Sequence, residues 1–225
     1  MLKRLLPATA ALLALSTLAA CGNEADNDEA VDPSTGASTP AEGESDEAAA
    51  GTACDYPEDG SEPAETGKVD VTIDTNVGAL KAVLDAGKTP CTVNSFLSLA
   101  KQGYFDDTQC HRLTTEGIYV LQCGDPTASG MGGPGYTIPD EVDGTEKYGP
   151  GVLAMAKTSE PDSGGSQFFL VYADSGVLDP VYTEFGTFDE AGVALLEEVA
   201  AKGTAEGGPD GSPADEITIS GVTVD

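Results

Sequence analysis

From Lys68 onward, apolar and polar residues alternate. Val69, Val71 and Ile73 are separated by Asp70, Thr72 and Asp74, the period-two pattern of a strand with one buried face. Asn76-Val77-Gly78 reads as a turn and Ala79–Leu84 as the return strand of a hairpin. The period then changes. Thr89-Pro90 predicts a helix start, with Thr89 as N-cap and Pro90 at the first helical position. Val93, Phe96, Leu97 and Ala100 follow at helical spacing until Gly103. Cys110–Leu113 and Tyr119–Cys123 predict two strands, and Gly124–Gly135 a glycine-rich loop. Further strands are expected at Val152–Ala156, Phe168–Tyr172, Thr183–Phe188 and Ile217–Val224. A second helix over Glu190–Ala201 places Val193, Leu196, Val199 and Ala200 on one face. Eight short strands, two helices and long Gly/Pro loops predict a mainly β fold, a closed eight-stranded antiparallel barrel capped by two helices.

None of this patterning extends into the first third of the chain. Lys3 and Arg4 precede an apolar run from Leu5 to Ala20, the charge and length of a secretory signal rather than of a membrane span. The run ends Leu18-Ala19-Ala20-Cys21, which resembles a bacterial lipobox and implies that Cys21 carries lipid. Residues 22–67 hold 14 acids and no Lys or Arg. They are rich in Ala, Ser, Thr, Gly and Pro, without a periodic apolar face, so a disordered acidic tether is expected. It would hold the domain a few tens of ångströms off the membrane, on the order of 5–6 Å × √n. The expected organisation is a signal peptide at 1–20, lipidated Cys21 with a linker over 21–67, and one domain over 68–225.

Charge narrows the partners. Ten Lys and Arg against 39 Asp and Glu leave the 225-residue chain at −29, so no basic surface is available to neutralise nucleic-acid phosphates. Apart from Cys21 there are four cysteines, Cys54, Cys91, Cys110 and Cys123. An even count in an exported chain fits two disulfides, with three pairings open. A Cys110–Cys123 bridge needs a bulge, because Cys110 shares the parity of Arg112 whereas Cys123 opposes that of Gln122.

Six segments in order carry a resemblance. They are Thr89-Pro90-Cys91-Thr92-Val93-Asn94-Ser95-Phe96, Tyr104-Phe105-Asp106, Cys110-His111-Arg112, Val120-Leu121-Gln122-Cys123-Gly124-Asp125, Gly151-Val152-Leu153-Ala154-Met155-Ala156 and Gly165-Ser166-Gln167-Phe168-Phe169. Leu178-Asp179 and Phe185-Gly186 follow in the same order. Over about 68–225 the chain resembles the cyclophilin-type peptidyl-prolyl isomerases, and the barrel is expected to be cyclophilin-like. The resemblance implies a catalytic pair, Arg112 and Gln122, in a shallow groove on the outer barrel face. It implies Phe169 as the floor of a proline pocket, with Tyr119, Val120, Ala156 and Leu178 as walls. Lys157, Thr158, Gln167 and Tyr182 complete the expected substrate-binding set. Tyr119 stands for a usual phenylalanine, Val120 for a methionine, Tyr182 for a histidine, and Val177 for a tryptophan of cyclosporin-binding members, so weak cyclosporin binding is expected.

The implied partners are proline-containing peptides and unfolded exported proteins, met by a monomer anchored through lipid on the outer face of the cell membrane. No cofactor and no metal is expected. Parity supports the site, since Val120 and Gln122 share a strand face that Arg112 can share from the neighbouring strand. Alternation admits one of Phe168 and Phe169 to the core, and Phe168 is the inward choice.

Other chemistries fit poorly. His111 is the only histidine; its neighbour Cys110 points to the opposite face, so no local dyad forms. A buried, hydrogen-bonded structural role is expected for it. Cys110, His111 and Cys123 lack the ligand-pair spacing of a zinc site. Gly130–Gly135 lacks the strand-to-helix context of a phosphate loop. The serious rival for Arg112 is an ordinary ion pair among the domain's 25 acids. The rival for the whole domain is a non-catalytic proline-peptide binding module on the same barrel.

Overall fold

The computed structural model describes residues 65–225; the expected signal segment, Cys21, Cys54 and the expected tether up to residue 64 lie outside them. The boundary at 67/68 falls just inside the described fold. Glu65 donates its backbone N–H to Asn94 Oδ1 at 3.0 Å, and Gly67 accepts from Ala86.

Alternation builds the first hairpin as expected. Strand β1 (Lys68–Thr75) and strand β2 (Gly78–Asp85) pair antiparallel, with Ile73 opposite Leu80. Val71, Ile73, Leu80, Ala82 and Leu84 are buried on one face. Helix α1 (Pro90–Lys101) starts with proline in its first turn and buries Val93, Phe96, Leu97 and Ala100. The cap differs from the expected Thr89, whose side chain makes no capping bond and donates instead to the Asp85 carbonyl. The Glu141 carboxylate takes that place, accepting from the backbone N–H groups of Cys91 at 2.9 Å and Thr92 at 2.8 Å. A carboxylate suits this end of a helix, where free N–H groups and the dipole are positive.

The remaining elements are β3 (Thr108–Gln109), β4 (Arg112–Thr114), β5 (Val120–Cys123), β6 (Val152–Met155), β7 (Phe168–Val171), β8 (Glu184–Phe188), α2 (Glu190–Ala200), β9 (Asp210–Gly211) and β10 (Thr218–Val224). Asp189 caps α2 by accepting from Gly192 N–H.

The sheet corrects the expected closed eight-stranded barrel. It is one ten-stranded curled sheet in the order β3-β10-β1-β2-β8-β6-β7-β5-β4-β9. The strand expected at Cys110–Leu113 is broken. Its approach, β3, pairs with β10, whereas β4 pairs with β5 and β9. Cys110 and His111 lie between the two pairings and belong to neither strand. That break meets the parity objection, and a Cys110–Cys123 disulfide forms with the Cα atoms 4.0 Å apart. Cys91 is disulfide-bonded as well.

The sheet buries apolar residues on both faces. Inside, Phe96, Phe105, Phe168 and Phe185 form an aromatic cluster, with the Phe96 ring 4.9 Å from Phe105 and 5.5 Å from Phe168. On the outer face Val120, Tyr148, Val152, Ala154, Ala156, Phe169 and Val171 form a second, smaller cluster. Strand β7 joins them by alternation: Phe168 and Leu170 point in, Phe169 and Val171 out.

Candidate active site

The outer cluster supports a row of residues facing one another across four strands. Arg112 on β4 pairs with Gln122 on β5, Gln122 with Phe169 on β7, and Phe169 with Ala154 on β6. Such a row places successive side chains at neighbouring positions on one face. Above it lies an open trough of ≈ 630 Å³, bounded by Arg112, Gln122, Gln167, Phe169, Ala156 and Tyr182 and by the loop from Gly130 to Thr137.

Arg112 occupies one end. Its guanidinium donates from Nε to Asp210 Oδ1 at 2.8 Å and from Nη2 to Asp210 Oδ2 at 2.7 Å. Nη1 lies toward Gln122, 3.4 Å from its Oε1. The hydrogen bond to Asp210 raises the guanidinium pKa and holds the Asp210 carboxyl below its ordinary value, so both groups are charged at neutral pH. The ion pair is therefore real, yet it leaves the guanidinium beside Gln122 and an open trough.

Amide groups continue the line. Gln122 Nε2 donates to Gln167 Oε1 at 2.7 Å, and Gln167 Nε2 donates to the carbonyls of Gly132 at 2.8 Å and Gly130 at 3.1 Å. That glycine-rich loop is fixed from behind by Asp125. Its carboxylate accepts from Thr127 N–H and Oγ1 and from Gly132 N–H. Burial alone would raise the Asp125 pKa, but the Thr127 hydroxyl and the loop N–H groups bring it down to about 2. A Cβ at Gly132 would collide with this carboxylate.

Phe169 is the floor, packed edge-on against Tyr182 with ring centroids 5.5 Å apart. Tyr182 is held in turn by Tyr148, whose hydroxyl donates to the Tyr182 carbonyl and accepts from its N–H, both at 3.0 Å. Ala156 lines the trough and is tied to the Gln167 carbonyl. Lys157 and Thr158 stand at its edge in a self-bonded loop. The Lys157 ammonium is 3.0 Å from Asp140 and donates to the Glu160 carbonyl, leaving its side chain only 7% exposed. The Thr158 N–H and hydroxyl both meet Ser163 Oγ.

Three expected wall residues lie elsewhere. Val120 is fully buried beneath the floor. Leu178 packs against the same cluster but does not line the trough. Tyr119 packs against the inner core, its ring 6.0 Å from Tyr172, and is not part of the trough. Odd and even positions of β5 face opposite ways, and Ile118 is the neighbour that packs on the outer cluster.

Sequence reasoning misses Ile118, Tyr148 and Asp210. His111 is half-buried rather than buried. Its two ring nitrogens, both shielded from solvent, have no hydrogen-bond partner among the described residues, so the expected hydrogen-bonded role is not met. Burial pushes its pKa down. Cys110 has no thiol to offer, being in a disulfide. Among the described residues no group of three or more His, Cys, Asp or Glu is placed to hold a metal ion.

The family model described as "Cyclophilin type peptidyl-prolyl cis-trans isomerase/CLD" matches residues 68–224. The chain belongs to the cyclophilin family. Among curated relatives, the probable peptidyl-prolyl cis-trans isomerase B of Mycobacterium leprae is 46% identical over 183 residues, covering 75% of this chain and 61% of the relative. That of Mycobacterium tuberculosis is 45% identical over 183 residues, covering 75% and 58%. This cyclophilin thus spans about three fifths of the length of the mycobacterial relatives it matches. A solved cyclophilin-type isomerase of Cryptosporidium parvum, determined in the presence of the dipeptide Ala-Pro, is 33% identical with a TM-score of 0.62. The match covers 69% of this chain and 98% of that one.

Proposed function

We propose that this cyclophilin accelerates cis–trans rotation about X–Pro bonds, with the trough over Phe169 as the proline site. The observation that carries the reading is the row Arg112–Gln122–Phe169, which sets a cationic donor beside an apolar floor at the base of an open trough. The solved relative determined in the presence of Ala-Pro supports it.

Rotation about a peptide bond crosses a barrier of ~18–20 kcal/mol because resonance gives C–N double-bond character. Twisting removes the resonance and leaves the lone pair on the proline nitrogen. A donor aimed there therefore stabilises the twisted state more than either planar one. Arg112 suits this role, because it stays charged and planar, and two bonds to Asp210 leave further N–H groups for the substrate. Phe169, Tyr182 and Ala156 would seat the ring by apolar contact. Gln122 and Gln167 would hold the peptide backbone on one side of the rotating bond. No nucleophile and no covalent intermediate are needed.

For the cellular setting the reading rests on the first 67 residues. The signal-like run, the lipobox-like Leu18–Cys21 and the acidic tract support a lipid-anchored helper on the outer face of the cell membrane, acting on exported proteins. Replacing Cys21 by Ala should release the protein into the medium. For the chemistry, Arg112→Ala in the full chain should lower kcat/KM on an Ala-Pro peptide by roughly 10²-fold, the scale of losing one transition-state donor. Wild-type turnover in that variant would overturn the mechanism. Tight peptide binding by a wild-type protein without turnover would support a binding module instead.

A further inference from the structure

The Arg112 guanidinium has a partner that the sequence pattern does not mark. Asp210 lies in β9, a two-residue strand between Gly207-Gly208-Pro209 and Ser212-Pro213. The ladder places Asp210 opposite Thr114 on β4, and Arg112 is two residues before Thr114. The two side chains therefore share one face on adjacent strands, in the diagonal relation that long side chains can bridge.

The carboxylate is presented by a strap held along its length. Thr204 bridges to Pro213, Ala205 N–H donates to Ser212 O at 2.8 Å, and Thr204 Oγ1 donates to Gly208 O at 2.8 Å. Thr115 N–H donates to Pro209 O at 2.8 Å, fastening the strap to the chain just beyond Arg112.

Resting on the reading of Arg112 as the donor to the proline nitrogen, we propose that Asp210 is a positioning residue for the reaction. It grips the guanidinium along its Nε–Nη2 edge and keeps Nη1 turned to Gln122 and the trough. Free arginine side chains populate many rotamers, and ordering one during catalysis would cost entropy at the moment of reaction. The bidentate fork fixes both plane and direction beforehand. Local charge makes the restraint consequential. Glu206 lines the same cleft as Arg112 and Asp210, so an arginine released from Asp210 has another carboxylate to turn toward. The pair is partly exposed, with Arg112 at 35% and Asp210 at 53%, where ion pairs add little to folding stability. Its effect is in aim.

The test uses the full chain and steady-state isomerisation of an Ala-Pro peptide, with Asp210→Ala, Asp210→Glu, Arg112→Ala and the double Ala variant. Asp210→Ala is expected to lower kcat about tenfold with KM within twofold and an unchanged thermal midpoint, since small misplacement of a catalytic group costs rate. Asp210→Glu restores most of the loss. In the Arg112→Ala background the second substitution adds nothing, the signature of two residues acting as a unit. Wild-type kcat in a folded Asp210→Ala variant overturns the proposal. So does an equal loss in both backgrounds, or a change confined to KM. If Arg112→Ala itself keeps full turnover, the reading of the site fails first, and that outcome is distinguishable from failure of Asp210 alone.

Discussion

Gln122 and Gln167 are joined amide to amide, Nε2 of the first donating to Oε1 of the second at 2.7 Å. The bond orients both groups. Gln167 has its amide N–H groups left for the Gly130 and Gly132 carbonyls, and Gln122 has its oxygen left for Arg112. The far wall of the trough and the cation are therefore linked through two side chains.

That linkage makes Gln167 more than a lining residue. Gln167→Leu keeps the bulk but removes the bonds that Gln167 makes to Gln122, Gly130 and Gly132, so the loop loses its tie and Gln122 one of its two restraints. A fall in kcat/KM of about tenfold is expected, or ~1.4 kcal/mol of transition-state stabilisation. Steady-state kinetics on an Ala-Pro peptide measures it. Unaltered kinetics would show that the relay is passive.

Phe168 and Phe169 adjoin in sequence but belong to different layers. Phe168 meets the inner rings of Phe96, Phe105 and Phe185. Phe168→Ala should cost ~3–5 kcal/mol of stability, the range for an aromatic deleted from a packed core. Phe169→Ala empties the trough floor instead. Its expected signature is a KM raised roughly tenfold with a smaller loss of stability. Chemical denaturation and steady-state kinetics of the two variants separate the roles, and reversed signatures would contradict the assignment of faces.

Much of this is legible in the sequence because parity holds wherever a strand is unbroken. It puts Val120 and Gln122 on one face and separates Phe168 from Phe169. The resemblance brings Arg112, Gln122 and Phe169 into one groove, and helical spacing locates α1 and α2 to within two residues. What escapes is long-range. Glu141 caps a helix fifty residues before it, and no local signal joins a loop carboxylate to a distant N-terminus. Asp210 sits in a strand too short to have a period, inside a Gly/Pro tract that reads as loop. Motif position misplaces Tyr119, although one step of alternation from Val120 sends its ring to the opposite face. The strand count errs in two places: the expected strand Cys110–Leu113 is a junction between two pairings, and β9 is an additional short strand.

The same junction governs the disulfide. Cys110 and Cys123 close a segment with a sequence separation of 13, and a loop of that size is worth about 3 kcal/mol in the chain-entropy account. The double variant Cys110→Ala/Cys123→Ala should lose stability on that scale in urea unfolding. Activity is expected to stay within threefold where the variant remains folded, because the Arg112–Gln122 pairing is set by backbone ladder bonds. A hundredfold loss of turnover would mean that the cross-link, not the ladder, fixes the site.

Acid should weaken the fold in two separable windows. His111 is held below its ordinary pKa of 6.5 by burial, so below about pH 6.5 the unfolded chain takes up a proton that the folded chain declines. Stability then falls as pH drops. Replacing it by Phe removes two buried, unpartnered nitrogens and should abolish this first decline. Asp125 acts lower. Its carboxyl titrates near 3.8 when unfolded and at about 2 when folded, so its contribution, about 2 kcal/mol, is complete well above pH 4. It is lost as pH falls from about 4 through 2. Asp125→Asn keeps the shape but gives up the charge that collects the loop N–H groups. That variant should be less stable at pH 7 and lose less on going from pH 4 to 2. Thermal unfolding across pH 2–8 resolves both windows, and a wild-type profile in Asp125→Asn would show that the loop is held by something other than this carboxylate.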